Sequence, residues 1–228
     1  MESLEFIPET HVFAEDGEPC IPRILHMIWV GDAEKPAYVD TYKDQWQTLM
    51  RNWQVRLWTN DDINETEFPP NVVSKIHDCK KGAQKADIMR YFIMYSYGGV
   101  YVDTDVTPYR SLEPIIQLGR QVVLCHDLPV TWQYISIGFF AAVPKHPLFE
   151  YACLLCNGVP INGNVCHETG PRILGEAVWR VTPSEKYVLL HTYYFYRNLA
   201  GDQITETEYR NDDYEGRFGT HFYAKSWC

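Results

Sequence analysis

Apolar positions come in short blocks that switch between two periods. Ile21 to Val30 is a nearly unbroken apolar run, opened by Pro22 and closed by Gly31-Asp32, which is the pattern of a buried strand. Tyr42, Trp46, Leu49 and Trp53 then recur at helical spacing and predict an amphipathic helix over 38–53. Residues 54–59 alternate as a second strand, and Asn60-Asp61-Asp62 offers turn and N-cap chemistry. A short helix is predicted over 71–79, after the Pro69-Pro70 break. The strongest helical stripe is Ala86, Met89, Ile93 and Tyr97 within 83–97, stopped by Gly98-Gly99. It feeds a short apolar strand, Val100 to Val102, which ends in Asp103-Thr104-Asp105. Further strands are predicted over 121–125, 135–143 and 187–196, and further helices over 146–157 and 171–181. Strand and helix alternate, so the expected class is α/β: a Rossmann-like, mostly parallel central sheet flanked by helices, with the acidic pair at a strand end. No repeat or linker breaks the pattern. A single domain is expected over 1–228, with a loosely packed lead-in (1–20) and a C-terminal tail (202–228) whose aromatic end docks back onto the body.

Composition narrows the function. The 228 residues carry 20 Lys+Arg against 30 Asp+Glu, a formal charge of −10. Such a chain repels phosphate backbones, so nucleic acid is excluded as a general partner, and any phosphate must be held locally by a metal or a few placed cations. No apolar run is long enough for a transmembrane helix, and the acidic N-terminus lacks the features of a cleaved signal peptide. The seven cysteines are scattered, the usage of a reducing, cytoplasmic compartment. Cys153 and Cys156, followed by Cys166-His167, match no zinc spacing well and read as free thiols, the first two buried.

The chemistry concentrates around the acidic pair. Two carboxylates two residues apart, just past a buried strand, face one point if the chain turns there, and hard oxygen ligands of this kind suit Mg²⁺ or Mn²⁺. An Asp-x-Asp alone is common, and the plain alternative is a solvated turn. Context favours the ligand reading. Asp87 and Arg90 sit three apart on the preceding helix and share a face. They read either as a surface ion pair or as a hydroxyl-binding carboxylate beside a phosphate-binding guanidinium. In open α/β sheets ligands bind beyond the carboxyl ends of strands, where Asp103 and Asp105 are expected.

The block Ala86-Asp87-Ile88-Met89-Arg90-Tyr91 … Tyr97-Gly98-Gly99-Val100-Tyr101-Val102-Asp103-Thr104-Asp105-Val106 resembles the DXD-containing sugar-binding region of glycosyltransferase family 32 and is similar to the core of the clostridial glucosylating toxins. Ile21 to Trp29 resembles that family's opening strand, Thr169-Gly170-Pro171 a recurring downstream tripeptide, and His221 with Ser226-Trp227 its C-terminal ending. The resemblance runs from about residue 21 to 227. It implies a GT-A fold, a nucleotide-sugar donor (a UDP-sugar before a GDP-sugar), a divalent ion (Mn²⁺ or Mg²⁺), retention of anomeric configuration, and a glycan, lipid-linked or protein hydroxyl as acceptor.

It also implies roles. Trp29 would stack on the nucleobase, or else is a core tryptophan. Asp87 would hold donor hydroxyls, Arg90 the sugar or diphosphate, and Tyr101 would lie near the ribose. Asp103 would contact ribose or metal-bound water, Asp105 would ligate the metal, and His221 is a candidate further ligand or diphosphate contact. Ser226 and Trp227 would close over the diphosphate, or serve as a packing plug. Ser136 stands where the family leads one to expect an Asn touching the sugar. Asp127 and Glu168 are the only loop carboxylates in reach as a covalent nucleophile, so front-face attack is favoured. The lack of an anchor favours a small soluble enzyme of bacterial or viral type. The alternatives are a nucleotide-sugar-binding protein of the same fold without turnover, or a metal-dependent phosphohydrolase.

Overall fold

The computed structural model describes residues 20–126, 135–181, 187–196 and 216–224. The lead-in, Asp127, most of the tail and the Ser226-Trp227 pair therefore lie outside the described residues.

A six-stranded sheet forms the centre. Strands β1 (Ile24–Ile28), β2 (Gln54–Trp58), β3 (Gly99–Val102), β5 (Val122–His126), β6 (Ile135–Ala142) and β7 (Tyr187–Leu190) lie in the order β2-β1-β3-β6-β5-β7. All run parallel except β6, which is antiparallel to both its neighbours. A separate two-stranded ladder joins β4 (Val106–Pro108) to β8 (Gly219–His221). Helices α1 (Ala37–Leu49), α2 (Pro70–Asp78), α3 (Gly82–Tyr97), α4 (Glu113–Ile116), α5 (Pro147–Gly158), α6 (Val165–Glu168) and α7 (Pro171–Val181) cover the faces. One apolar cluster joins a sheet face to α2, α3, α5 and α7; a second joins the other face to α1 and the β4–β8 ladder. This is the expected α/β architecture of GT-A type.

Three local expectations are corrected. The helix predicted over 38–53 stops at Leu49, and Trp53 comes back into the core through a turn closed by its N–H on the Met50 carbonyl. Its indole N–H then donates to Glu113 at 2.9 Å, a long-range bond that helical periodicity cannot anticipate. The strand predicted over 187–196 ends at Leu190, because His191 caps a 3-10 turn over Thr192–Tyr194. The ladder β4–β8 was not expected, because three-residue strands carry no periodicity. It joins the residues after Asp105 to the tail.

The aromatic runs are mostly core. Phe139, Phe140, Phe195 and Tyr196 are buried, and only Tyr193 is exposed. The described thiols are free, with Cys153 and Cys156 buried and Cys166 exposed. Burial pushes the Cys156 thiol well above its usual range.

Helix α3 is buried on nearly all sides and ends in a hairpin-tight turn into β3. Both Gly98 and Gly99 have positive φ. A Cβ on Gly98 would come within 2.8 Å of the Ala142 carbonyl, and one on Gly99 within 2.5 Å of the Ile24 carbonyl. His26 locks this turn from β1. The Trp58 indole N–H donates to its Nδ1 at 3.1 Å, so the ring proton sits on Nε2 and donates to the Gly98 carbonyl at 3.0 Å. Burial lowers this imidazole to about 3, against an unfolded value near 6.5. Its contribution to stability is therefore full above about pH 6.5 and is lost as pH falls toward 3. Between pH 7.5 and 5 this one group should remove about 2 kcal/mol. Urea midpoints measured across that window should fall more steeply for the native protein than for His26→Gln. Parallel slopes for the two would refute this assignment.

Candidate active site

The site forms where the strands end. Asp103 follows the last residue of β3, and Trp29 the last residue of the parallel neighbour β1. Because β6 runs the other way, its first residues reach the same edge. There β6 bulges: from Leu124 to His126 β5 advances two residues, while β6 goes from Phe140 to Ile135, five. Bulges re-aim side chains and free backbone groups. Here the freed carbonyls serve the site. Gly138 accepts the Asp103 N–H at 2.9 Å, and Ile137 accepts Arg90 Nη1 at 2.6 Å.

Asp103 is held from behind. Its Oδ1 accepts the Tyr101 hydroxyl at 2.6 Å and Arg90 Nη1 at 3.1 Å. Burial would raise its pKa, but the charge of Arg90 and the His221 and Tyr101 bonds hold it down at about 2. Its Oδ2 faces forward, 3.4 Å from His221 Nε2. Asp105 offers Oδ1 to the same nitrogen at 3.1 Å, while its Oδ2 accepts the Ala224 N–H at 2.8 Å. Burial works against a charge on His221, yet Asp105 and Asp103 together raise it to about 10. The β4–β8 ladder pairs Val106 with His221, and so carries the tail histidine over an acidic pair more than a hundred residues away.

Ligand atoms of Asp103, Asp105 and His221 all lie within 4.8 Å of one another, the single such group found among the described residues. Two carboxylate oxygens and an imidazole nitrogen fit a divalent first-row ion, with the imidazole favouring Mn²⁺ over Mg²⁺.

Arg90 is an internal cross-brace. Its guanidinium reaches Asp87 Oδ1 at 3.2 Å and Asp103 Oδ1 at 3.1 Å, lies over the Tyr101 ring at 4.7 Å, and is almost wholly buried. Burial works against its charge, but Tyr101, Asp103 and Asp87 hold it well above its usual value. Asp87, at 1% exposure, also accepts the Thr169 hydroxyl at 2.8 Å. Burial pushes it up to about 6 despite the pull of Arg90 and Thr169. Of the two readings of this pair, the surface ion pair is thus ruled out: it is part of a buried network. Tyr101, expected near the ribose, is 1% exposed, and its hydroxyl is engaged with Asp103. Glu168 is tied down as well: Gln84 donates to it at 2.8 Å, and the Gly163 and Asn164 N–H groups at 3.0 Å. Trp29 is half-buried at the edge of the site. Ser136 is buried; its Oγ accepts the Gly138 N–H at 3.0 Å and meets the Tyr196 hydroxyl.

Three residues that sequence reading passed over shape this site. A Cβ on Gly138 would lie 2.8 Å from Asp103 Oδ2 and would push that carboxylate aside; an isolated glycine in an apolar strand was the available signal. Asn60 exchanges two 2.9 Å bonds with the Gly31 backbone and so pins the loop that follows Trp29. Tyr196 left no local signal at all.

Residues 36–121 match the family described as the glycosyltransferase sugar-binding region containing the DXD motif. An uncharacterized glycosyltransferase of Acanthamoeba polyphaga mimivirus is 27% identical over 195 residues, covering 80% of this chain and 76% of its own. Inositol phosphoceramide mannosyltransferase 1 of Schizosaccharomyces pombe is 31% identical over 140 residues, covering 58% of this chain. A mannosyl phosphorylinositol ceramide synthase of Saccharomyces cerevisiae is 28% identical over 131 residues. The chain spans only 41% and 33% of the length of these two yeast proteins. Among solved structures, the PaToxG glycosyltransferase superposes with a TM-score of 0.59 at 14% identity, over 72% of this chain and 71% of that one, which is a likeness of fold. Residues 36–121 are thus similar to the sugar-binding region of the DXD glycosyltransferases, on a fold of GT-A type.

Proposed function

We propose that this chain is a metal-dependent glycosyltransferase that moves a sugar from a nucleotide-sugar donor to a hydroxyl acceptor with retention of configuration. The observation that carries the proposal is the convergence of Asp103, Asp105 and His221 at the carboxyl ends of the parallel strands. A bound Mn²⁺ would act there as a Lewis acid on the leaving diphosphate. The rest falls to the chain. Trp29 offers an aromatic face to the nucleobase, a stack worth about 1–3 kcal/mol. Asp87 supplies negative charge beside an anomeric centre that becomes oxocarbenium-like. Arg90 fixes Asp87 and Asp103 in one geometry, so that neither needs to reorganise as charge develops. Ser226 and Trp227 are assigned to the diphosphate side.

Retention by front-face attack, with the departing phosphate oxygen taking the acceptor proton, agrees with the engagement of the site carboxylates. Asp87 is buried in its network and Glu168 is held by three donors, which leaves neither poised as a covalent nucleophile. The yeast relatives are named for mannosyl transfer to an inositol phosphoceramide, so a GDP-linked mannose joins the UDP-sugars as a donor to test, and a phosphate-bearing lipid leads among the acceptors.

The decisive experiment incubates the protein with UDP- and GDP-sugars, with Mn²⁺ or with a chelator, and identifies the nucleotide product. Nucleoside diphosphate released only with metal is the expected result. Nucleoside monophosphate with sugar phosphate would indicate a phosphohydrolase. Binding of one donor without turnover would indicate the inactive binding protein. The single ligand cluster among the described residues disfavours two-metal hydrolysis.

A further inference from the structure

The 194–196 segment is where the tail meets the sheet. The Tyr194 carbonyl accepts the Phe218 N–H at 3.1 Å, and the Phe195 carbonyl accepts the His221 N–H at 2.8 Å. Phe195 stacks on Phe139 of β6 at 3.9 Å and faces Phe218 of the tail at 5.8 Å. The next side chain, Tyr196, is 3% exposed and points into the site rather than away from it. Its hydroxyl meets Ser136 on the β6 bulge, and lies 3.0 Å from where a Gly138 Cβ would stand, the same point that lies 2.8 Å from Asp103 Oδ2. Its ring centroid is 5.5 Å from the His221 imidazole and 6.1 Å from Tyr223. Tyr223 meets the same imidazole edge-on at 4.2 Å.

The His221 ring therefore has two kinds of neighbour. The carboxylates of Asp103 and Asp105 attract its Nε2, and the two tyrosines set its plane. Attraction alone leaves a histidine free to rotate about χ1 and χ2. An imidazole can ligate a metal only along the in-plane direction of its nitrogen lone pair, so its orientation affects affinity directly.

We infer that Tyr196 is a positioning residue for the metal-binding triad: anchored by Ser136 on the β6 bulge, it fixes the plane of His221 over Asp103 and Asp105. The inference rests on the metal-dependent reading proposed above, and it gives Ser136 a part that does not involve the donor sugar. The bulge thus orients the triad from two sides, through the Gly138 carbonyl on the Asp103 N–H and through Ser136 and Tyr196 on the histidine.

The test is Mn²⁺ binding to the protein alone, by titration calorimetry or by the loss of free Mn²⁺ signal in electron paramagnetic resonance, with the urea midpoint recorded for every variant. Tyr196→Phe keeps the ring and loses the anchor, and should weaken Mn²⁺ binding about tenfold, as outer-shell substitutions do. Ser136→Ala removes the same contact and should match it, and the double variant should add nothing further. In a His221→Ala background Tyr196→Phe should leave the residual Mn²⁺ affinity unchanged. A purely structural tyrosine would lower the urea midpoint and leave the dissociation constant alone. Unchanged Mn²⁺ affinity in Tyr196→Phe, or an equal loss with and without His221, overturns this role while the metal reading stands. Failure of the native protein to bind Mn²⁺ at all overturns both.

Discussion

Arg90→Met should destabilise the fold by about 3–5 kcal/mol, the usual cost of removing one partner from a buried ion-pair network. For a chain of this size that is a drop in Tm of about 10 °C. The size follows from what the guanidinium holds. Asp87 and Asp103 both lean on it, at 3.2 and 3.1 Å, and the Ile137 carbonyl accepts from it at 2.6 Å. A methionine fills the volume but leaves one wholly buried carboxylate and one partly buried carboxylate without a counter-charge. Asp87, already raised to about 6 by burial, would take up a proton. Activity should fall with stability, because Asp103 loses the bond that aims its other oxygen at His221. Arg90→Lys should recover only part of both, since one ammonium cannot span the two carboxylates and the carbonyl. Asp87→Asn combined with Arg90→Met should be more stable than Arg90→Met alone, because folding then no longer requires Asp87 to bind a proton at neutral pH. Thermal unfolding of the three variants beside the native protein measures this. An unchanged Tm for Arg90→Met would mean that the network carries no net stability.

This network shows where sequence reading succeeds and where it stops. The spacing of Asp87 and Arg90 put them on one helix face, and the apolar strand before Asp103 put the acidic pair at a strand end; both are local consequences of period. Burial of that helix face was not local. Helix α3 is covered by α2, α5 and the sheet, so a pair that reads as a surface salt bridge becomes the centre of the site. The same limit applies to Tyr101. The resemblance put it near the ribose, but it could not say that the sheet face it joins is sealed. His221 was placed by resemblance alone, since the β4–β8 ladder that delivers it is three residues long. The β6 bulge, with Ser136, Gly138 and the Ile137 carbonyl, left a single mark in the sequence: one glycine in an apolar strand. Tyr196 left none, because its role depends on a turn that interrupts a tyrosine-rich segment with strand-like composition.

Asp105→Asn should separate catalysis from stability in the opposite way to Arg90→Met. The side chain is buried but makes no contact with Arg90 or Asp87; it faces His221 and the tail. Its Oδ2 accepts the Ala224 N–H at 2.8 Å, and its own backbone carbonyl accepts the Phe222 N–H at 3.2 Å. An asparagine of the same shape keeps an oxygen for Ala224 and leaves the backbone bond intact, but gives up one of the two charges facing the buried His221; Asp103 still faces that imidazole, so stability should fall by about 1–2 kcal/mol, less than for Arg90→Met. What disappears is one of the two negative charges facing His221. Asp105 is also the stronger of the two influences that hold that imidazole protonated. Cleavage of a nucleotide-sugar places new negative charge on the diphosphate, and stabilisation of that charge is worth several kcal/mol in the transition state. Losing about 4 kcal/mol of it lowers the rate roughly a thousandfold. Turnover of the best donor by Asp105→Asn should therefore fall about a thousandfold at saturating Mn²⁺, while its Tm falls by only about 2–6 °C. Turnover within tenfold of native would remove Asp105 from the reaction and return the acidic pair to a solvated turn. A large loss of Tm would instead place Asp105 among the residues that hold the β4–β8 ladder and the tail in place, with its effect on turnover secondary to that.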